Sequence, residues 1–322
     1  MNKVVQAKYP MKLNIQYFAS AADTVLMSDS KTGSVPTEQA NLIMADMVQG
    51  SAVMALAKNE PMTKPKKEFT YLAEGVGAYW VDEGNKIPVS KPTWLKATME
   101  AKKLGVIVVA TKEALKWSVP TFFSEMRSEI AKAFLTTFDL AALFGVNSPY
   151  ATGQNVLAAA TAAGNNVPFD SAGDVYQQVN AVIEMVEDND IDPDGIATRR
   201  KFKAKLRGFV DGNGRPLLNE PRDGATNDIL GLPIAYINKA AFPANAAAEL
   251  FVGNWDYARY GVLQGIEYSI SEEATLEGVL GEDGKPINLW ERDMFAMRAT
   301  MHVGFMVLKD EAFAVLTPDV TP

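Results

Sequence analysis

The spacing of apolar positions changes several times along the chain, and each change marks an element. In residues 39–58, Leu42, Ile43, Met47, Val53, Met54 and Leu56 recur at helical intervals, with Gly50 placed to interrupt them. This predicts two short helices or one broken helix. Residues 69–73 and 94–103 read as strand arms around a middle containing Gly75, Gly77, Gly84, Pro88 and Pro92, which together make a long hairpin. On the second arm Leu95, Ala97, Met99 and Ala101 alternate with Lys96, Thr98, Glu100 and Lys102, the period of a sheet with one wet face. Residues 104–110 are apolar almost throughout, so the arm is expected to run on into a buried sheet.

Further along, Ser118 suits a helix cap and Pro120 its first turn, with Phe122, Met126, Ile130, Phe134, Phe138 and Ala141 on one side and Gly145 as the stop. Such a helix would be a rod of roughly 36 Å at 1.5 Å per residue. Residues 172–186 read as a helix through Val175, Val179, Val182, Ile183 and Val186; 195–198 as a short strand; 201–210 as a helix; and 211–214 as a turn. Strand and helix patterns mix there as in a separate α/β unit. Residues 288–316 return to strand alternation, with Phe295, Met297, Ala299, Met301 and Val303 on one face and Ala296, Arg298, Thr300 and His302 on the other. No repeat of 20 to 50 residues is visible.

Composition narrows the function. The 322 residues are 48% hydrophobic, which suits a globular protein with one large or two medium cores. A net charge of -8 argues against general wrapping of nucleic acid. Cysteine is absent, which removes disulfides, thiolate metal sites and cysteine nucleophiles together, and the single histidine, His302, rules out a multi-imidazole zinc site. No apolar run is long enough to span a membrane. The first 21 residues are interrupted by Gln6, Lys8, Lys12, Asn14 and Gln16, so they are not read as an export signal.

Asp188, Asp190, Asp192, Asp194 and Gly195 imitate the start of a calcium loop, but counting from Asp190 the twelfth position is Lys201 rather than an acid. An acidic loop at a helix end is the reading, and no metal is assigned. Arg199, Arg200, Lys201, Lys203, Lys205 and Arg207 place six cations within nine residues; without interleaved aromatics beyond Phe202 they suit a solvated face or a contact with acids on another copy. His302 reads as a packed or hydrogen-bonded strand residue. The glycine pairs at 211–214 and 281–284 lack the spacing of a phosphate loop, and no Gly-x-Ser-x-Gly elbow occurs.

The order of segments carries more information than any single residue. An arm, a long hairpin, a long helix, an inserted α/β unit and a returning strand together resemble the major capsid proteins of tailed phages with the Hong Kong 97-type fold. The stretches Gly77-Ala-Tyr-Trp80-Val with Glu83-Gly84, Ser90-Lys-Pro-Thr-Trp94, Lys103-Leu-Gly-Val-Ile107, Thr111-Lys-Glu113, and Asp293 through His302 to Val303 are similar to those of siphophages of Gram-positive bacteria. Separately, Lys12-Leu-Asn-Ile-Gln-Tyr-Phe18-Ala-Ser20 resembles the N-terminal extension of a bacterial ribosomal protein that a host cysteine protease removes between Phe and Ala, with Ile15 and Tyr17 as mild departures.

The resemblance implies an α+β fold with a propeptide at 1–18, an N-arm with short helices at 19–66, an extended E-loop at 67–103, a peripheral domain with a spine helix at 104–149, an axial domain at 150–260 and peripheral return strands at 261–322. It implies cleavage between Phe18 and Ala19, with Leu13, Gln16, Tyr17 and Phe18 read by the protease. Trp80, Trp94, Arg199, Arg200 and Lys203 are expected at contacts between subunits. The expected product is the virion capsid, built of hexamers and pentamers in the host bacterial cytoplasm around double-stranded DNA that it touches weakly and non-specifically. A separate scaffolding protein, a portal protein and a host cysteine protease are the other implied partners, and no catalytic residue, cofactor or membrane is assigned. The alternatives are an encapsulin-type compartment and a soluble α/β enzyme using the carboxylates near Asp188.

Overall fold

The computed structural model describes residues 50–74, 77–81, 83, 85–86, 89–170, 173–208, 218–219, 228–243, 245–280 and 286–318. In chain order, helix α1 (Ala52–Leu56) leads to strands β1 (Lys58–Asn59), β2 (Lys66–Glu74) and β3 (Thr93–Thr111), and then to helix α2 (Lys112–Asp139). Helix α3 (Val156–Ala163), strand β4 (Asn166–Pro168), helix α4 (Val175–Glu187), strand β5 (Gly195–Arg199) and helix α5 (Phe202–Gly208) follow. Strands β6 (Leu218–Asn219), β7 (Asp228–Ile229), β8 (Leu232–Ile237) and β9 (Leu250–Gly253) precede the long strand β10 (Ala258–Ser271). The short pair β11 (Thr275–Leu280) and β12 (Pro286–Asn288) then leads to β13 (Met294–Val307) and β14 (Phe313–Thr317).

The strands form two main sheets. The first has the order β1-β10-β13-β3-β2, with β13 antiparallel to both long neighbours, so that His302 lies between Gln264 and Lys103. The second has the order β4-β14-β9-β5-β8-β7-β6. The C-terminal strand β14 therefore belongs to the second sheet, although the expected segment 261–322 groups it with the first. Its buried run of Phe313, Ala314, Val315 and Leu316 fits between β9 and β4, where both faces are covered.

Helix α2 corrects the expected helix start. It begins at Lys112, directly out of β3, so Ser118 is not its cap and Pro120 lies inside it, where its missing N–H removes one backbone hydrogen bond. The start is set by tertiary contacts: the Lys112 N–H donates to the Asp293 carbonyl at 3.0 Å, and its ammonium reaches Glu272 at 3.0 Å and Asp293 at 3.4 Å. Local propensity does not see those partners. At the other end Gly145 is the stop, as expected, in the left-handed conformation at φ 70°, after a last turn, Leu140–Phe144, that widens to π geometry.

Ile130, Ala131, Phe134, Leu135 and Phe138 form the buried stripe of α2, and Phe138 meets Tyr260 and Phe305 edge-on. The helix thus covers one face of the first sheet, the face lined by Phe295, Met297, Ala299, Met301 and Val303, all buried as the alternation predicts. Residues 104–110 are less buried than expected. Leu104, Val106 and Val108 pack on the core, but Ile107 is exposed, because past the end of β2 this part of β3 is, among the described residues, a sheet edge with one face open. In the second unit α4 buries all five expected positions, Val175, Val179, Val182, Ile183 and Val186, behind an Asp174 cap.

Candidate assembly surfaces

The hairpin of β2 and β3 is a two-stranded ribbon, and such a ribbon has no interior of its own. Its side chains show this. Trp80 is 105% exposed and Trp94 60%, and Tyr79, Val89 and Leu95 lie open beside them. Trp255 in the second sheet's core contrasts with them: it is 0% exposed, donates from Nε1 to the Gly195 carbonyl at 3.0 Å, and meets Phe313 edge-on, whereas Trp290 beyond the hairpin is exposed as they are. Among the described residues, neither Trp80 nor Trp94 finds cover. The loop carrying Trp80 is tied across the ribbon by the Gly77 N–H, which donates to Ser90 Oγ at 2.8 Å.

The root of the hairpin is built, in contrast to its tip. Met62, Met99 and Met306 form a separate buried cluster with Phe69, Ala97 and Leu263 packed around it. This cluster sits on Gly261 and Gly304, which face each other across β10 and β13. A Cβ on Gly261 would lie 2.4 Å from the Glu60 carbonyl and 2.7 Å from both Met62 and Met99. Only glycine admits so close an approach.

Glu60 adds an electrostatic clamp at the same root. Its carboxylate receives Lys67 Nζ at 2.9 Å and Arg259 Nη1 at 2.6 Å, and both cations also lie over the Phe69 ring. The hydrogen bond from Lys67, followed by the charges of Lys67 and Arg259, holds the Glu60 carboxyl below the usual range against the opposing effect of burial. Three segments, β10, β2 and the turn after β1, are joined at one residue.

The cationic segment divides once folded. Arg199 is half-buried and pairs with Glu249 of the same chain while stacking over Phe242, and Lys205 approaches Glu249 at 3.6 Å and lies 3.9 Å from the centre of Phe169. Arg200 and Lys201 are exposed, and Lys203 lies over Tyr236. The acidic loop is the helix end that was expected. Asp188 caps α4, Asp190 takes φ 56°, and Asp194 accepts the Trp255 N–H at 2.8 Å, its carboxyl raised by partial burial. Asp188 acts here through its backbone N–H, Asp192 through its carbonyl, which accepts from Asn254, and Asp194 through its carboxylate. His302 is half-buried between Thr300 and Gly304 on the outer face of the first sheet; its Nδ1 is enclosed without a hydrogen-bond partner among the described residues, so it is packed rather than bonded.

Leu13, Gln16, Tyr17, Phe18 and Ala19 lie outside the described residues, as do the turn at 211–214 and the segment 281–284. Reading the sequence missed the Glu60 clamp, the methionine root and the buried pairing of Arg199 with Glu249. The one available signal was Gly261 and Gly304, since glycine within a strand pattern marks a close backbone approach.

Comparison with known proteins agrees with this arrangement. The signature of the phage capsid family matches residues 32–317. The major capsid protein of Staphylococcus phage 80alpha is 36% identical over 317 residues, which cover 96% of this chain and 94% of that one. A probable major capsid protein of Mycobacterium phage D29 is 26% identical, covering 88% of this chain and 90% of the other. Among solved structures, one from Microbacterium phage Oxtober96 is 28% identical with a TM-score of 0.71, covering 84% of this chain and 91% of its own. One from Mycobacterium phage Adephagia is 25% identical with a TM-score of 0.72, covering 95% of this chain and 99% of its own.

Proposed function

The chain belongs to the phage capsid family and is a major capsid protein of the Hong Kong 97-type fold; from that premise we propose how its surfaces build the head of a tailed phage. The hairpin is the E-loop, and it lays Trp80 and Trp94 onto a neighbouring subunit in the shell. The exposure of two indoles on a ribbon with no core is the observation that carries this reading, since roughly 150 to 250 Å² of aromatic surface per ring stays wet until a second chain covers it. Helix α2 with the first sheet acts as the peripheral domain. The second sheet with α4 and α5 acts as the axial domain, and Arg200 and Lys203 take part in contacts near capsomer centres.

Hexamers and pentamers assemble in the host bacterial cytoplasm with a separate scaffolding protein and a portal, and residues 1–18 are removed by a host cysteine protease. The acidic balance favours a wall that receives double-stranded DNA without holding it. Removal of residues 1–18, which contain Lys3, Lys8 and Lys12 and no acid, makes that wall more acidic still. The relatives are phage capsid proteins, which favours this reading over an encapsulin or a soluble enzyme. Electron microscopy of the chain co-expressed with its scaffolding protein tests it. Closed particles of uniform size are expected, and a small soluble oligomer that never forms shells would overturn it.

A further inference from the structure

Among the described residues, the exposed aromatic outside the hairpin is Trp290 alone, and it stands on a fixed base. Leu289 before it is fully buried, in a cluster with Ile287 and Ala296. The Met294 N–H donates to the Leu289 carbonyl at 2.9 Å, and the Trp290 N–H donates to Asn288 Oδ1 at 3.1 Å. The Asp293 carbonyl accepts the Lys112 N–H, which ties the same turn to the start of α2. Trp290 is nevertheless 68% exposed, with the Lys112 ammonium 5.9 Å from its ring centre. Ile270, two residues before the Glu272 that pairs with Lys112, is exposed too. Lys112 directly follows β3, and the hairpin tip, 75–92, directly precedes it. The 19 residues of β3 span about 60 Å at 3.3 Å each, so the two aromatic patches stand at opposite ends of one strand. The tip of a chain is out of reach of its own Trp290.

We propose that the turn carrying Trp290 receives the hairpin tip of a neighbouring copy, with Trp80 brought against Trp290. The contact rests on the shell reading and names the surface that takes the hairpin. Tyr79, Trp80, Val89 and Trp94 hold on the order of several hundred Å² of apolar surface open at the tip, an area that marks a contact rather than a scattered surface residue. An indole held rigidly outward on a buried base is the kind of anchor such a patch packs on, since it loses little freedom when covered. Charge disfavours the two-fold alternative. Two such turns brought together would set Glu272, Glu273, Glu291 and Asp293 against the same four acids, with Lys112 and Arg292 to balance them on each copy. The tip is neutral by sequence, with Asp82 and Glu83 against Lys86 and Lys91, and meets the turn without that repulsion. The contact joins different surfaces of two copies, so it is heterologous, and repeated by rotation it closes into a ring.

Substitution in the full chain, under conditions where the wild type assembles, tests the proposal. Trp290→Ala is expected to lower particle yield at least tenfold while the subunit melts as the wild type does. Because the chain has no cysteine, Val89→Cys with Glu291→Cys gives a reporter of the contact itself. A short bismaleimide should link copies of the double variant within particles into a ladder that ends at the closed ring, while either cysteine alone leaves the subunit unlinked. Particles without links, dimers from Glu291→Cys alone, or links to a scaffolding or other phage protein in place of a second copy would each overturn it. Normal yield from Trp290→Ala beside loss of yield from Trp80→Ala would overturn the receiving surface and leave the hairpin contact standing. Absence of particles from the wild-type chain would instead overturn the shell reading, and the contact with it.

Discussion

The Ser51 hydroxyl donates to the Asp139 carboxylate at 2.5 Å, joining two positions 88 residues apart. The other carboxylate oxygen accepts the Ala52 N–H at 3.2 Å, and Ser51 Oγ in turn accepts the Met54 N–H at 3.1 Å. The last residue of α2 thereby caps the first turn of α1, and both partners are buried. Next to this joint, a Cβ on Gly50 would lie 2.7 Å from a terminal methyl of Leu135 of α2, which would have to shift to admit it. Residues 50–52 are seated on the long helix at this point.

Burial raises the Asp139 carboxyl to about 6, against the lowering effect of its three hydrogen bonds. Between its ordinary value of 3.8 and 6 the folded subunit therefore holds a proton that the unfolded chain has released, and stability falls as pH rises through that window. Above it, the ionised group costs on the order of 2 to 3 kcal/mol. We predict that Asp139→Asn removes this dependence. Unfolding measured at pH 4.5 and pH 7 should show the variant gaining on the wild type at the higher pH. An equal difference at both would refute the assignment.

Gly261→Ala should destabilise the subunit by about 2 to 3 kcal/mol, because the new methyl meets a backbone carbonyl as well as two methionines and the carbonyl cannot yield. Gly304→Ala should cost less, since its nearest neighbours lie at 3.0 to 3.1 Å. Hydrogen exchange in β2 gives the second readout. Faster exchange in Gly261→Ala than in Gly304→Ala is expected, and the reverse order would mean that the methionine root does not hold the hairpin.

Trp80→Ala should leave subunit stability within about 0.5 kcal/mol, as for other exposed positions, yet lower particle yield sharply. Trp255→Ala should do the opposite, costing about 3 to 5 kcal/mol of folding stability by opening a core cavity. Thermal unfolding and sedimentation of the same samples separate the two effects. Normal shells from Trp80→Ala and Trp94→Ala alike would leave the exposed hairpin without its assigned role.

Cleavage between Phe18 and Ala19 has a direct readout in the intact mass of the subunit from mature particles. A chain beginning at Ala19 is expected. Replacement of Phe18 by Asp should block the cut and leave the longer chain in the particle, and infectious particles whose subunits retain Met1 or Asn2 would rule the cut out. The segment suits proteolysis because a protease must bind its target in extended form, and the motif from Lys12 to Ser20 supplies the side chains it would read.

Much of this was written in local pattern. Strict alternation placed the inner face of β13, helical spacing placed the buried face of α4, and a glycine at the end of an apolar stripe marked the stop of α2; each depends only on neighbours within a few residues, so each is legible from sequence. The start of α2, the edge character of residues 104–110, and the division of the cationic segment between Glu249 and solvent needed partners far along the chain. Ser51 with Asp139, Glu60 with Arg259 and Gly261 with Met99 are pairs separated by many elements, and a single sequence has no period that links them. Their positions come from packing, in which buried charges and close backbone approaches are tolerated only where the folded chain happens to supply the partner or the gap.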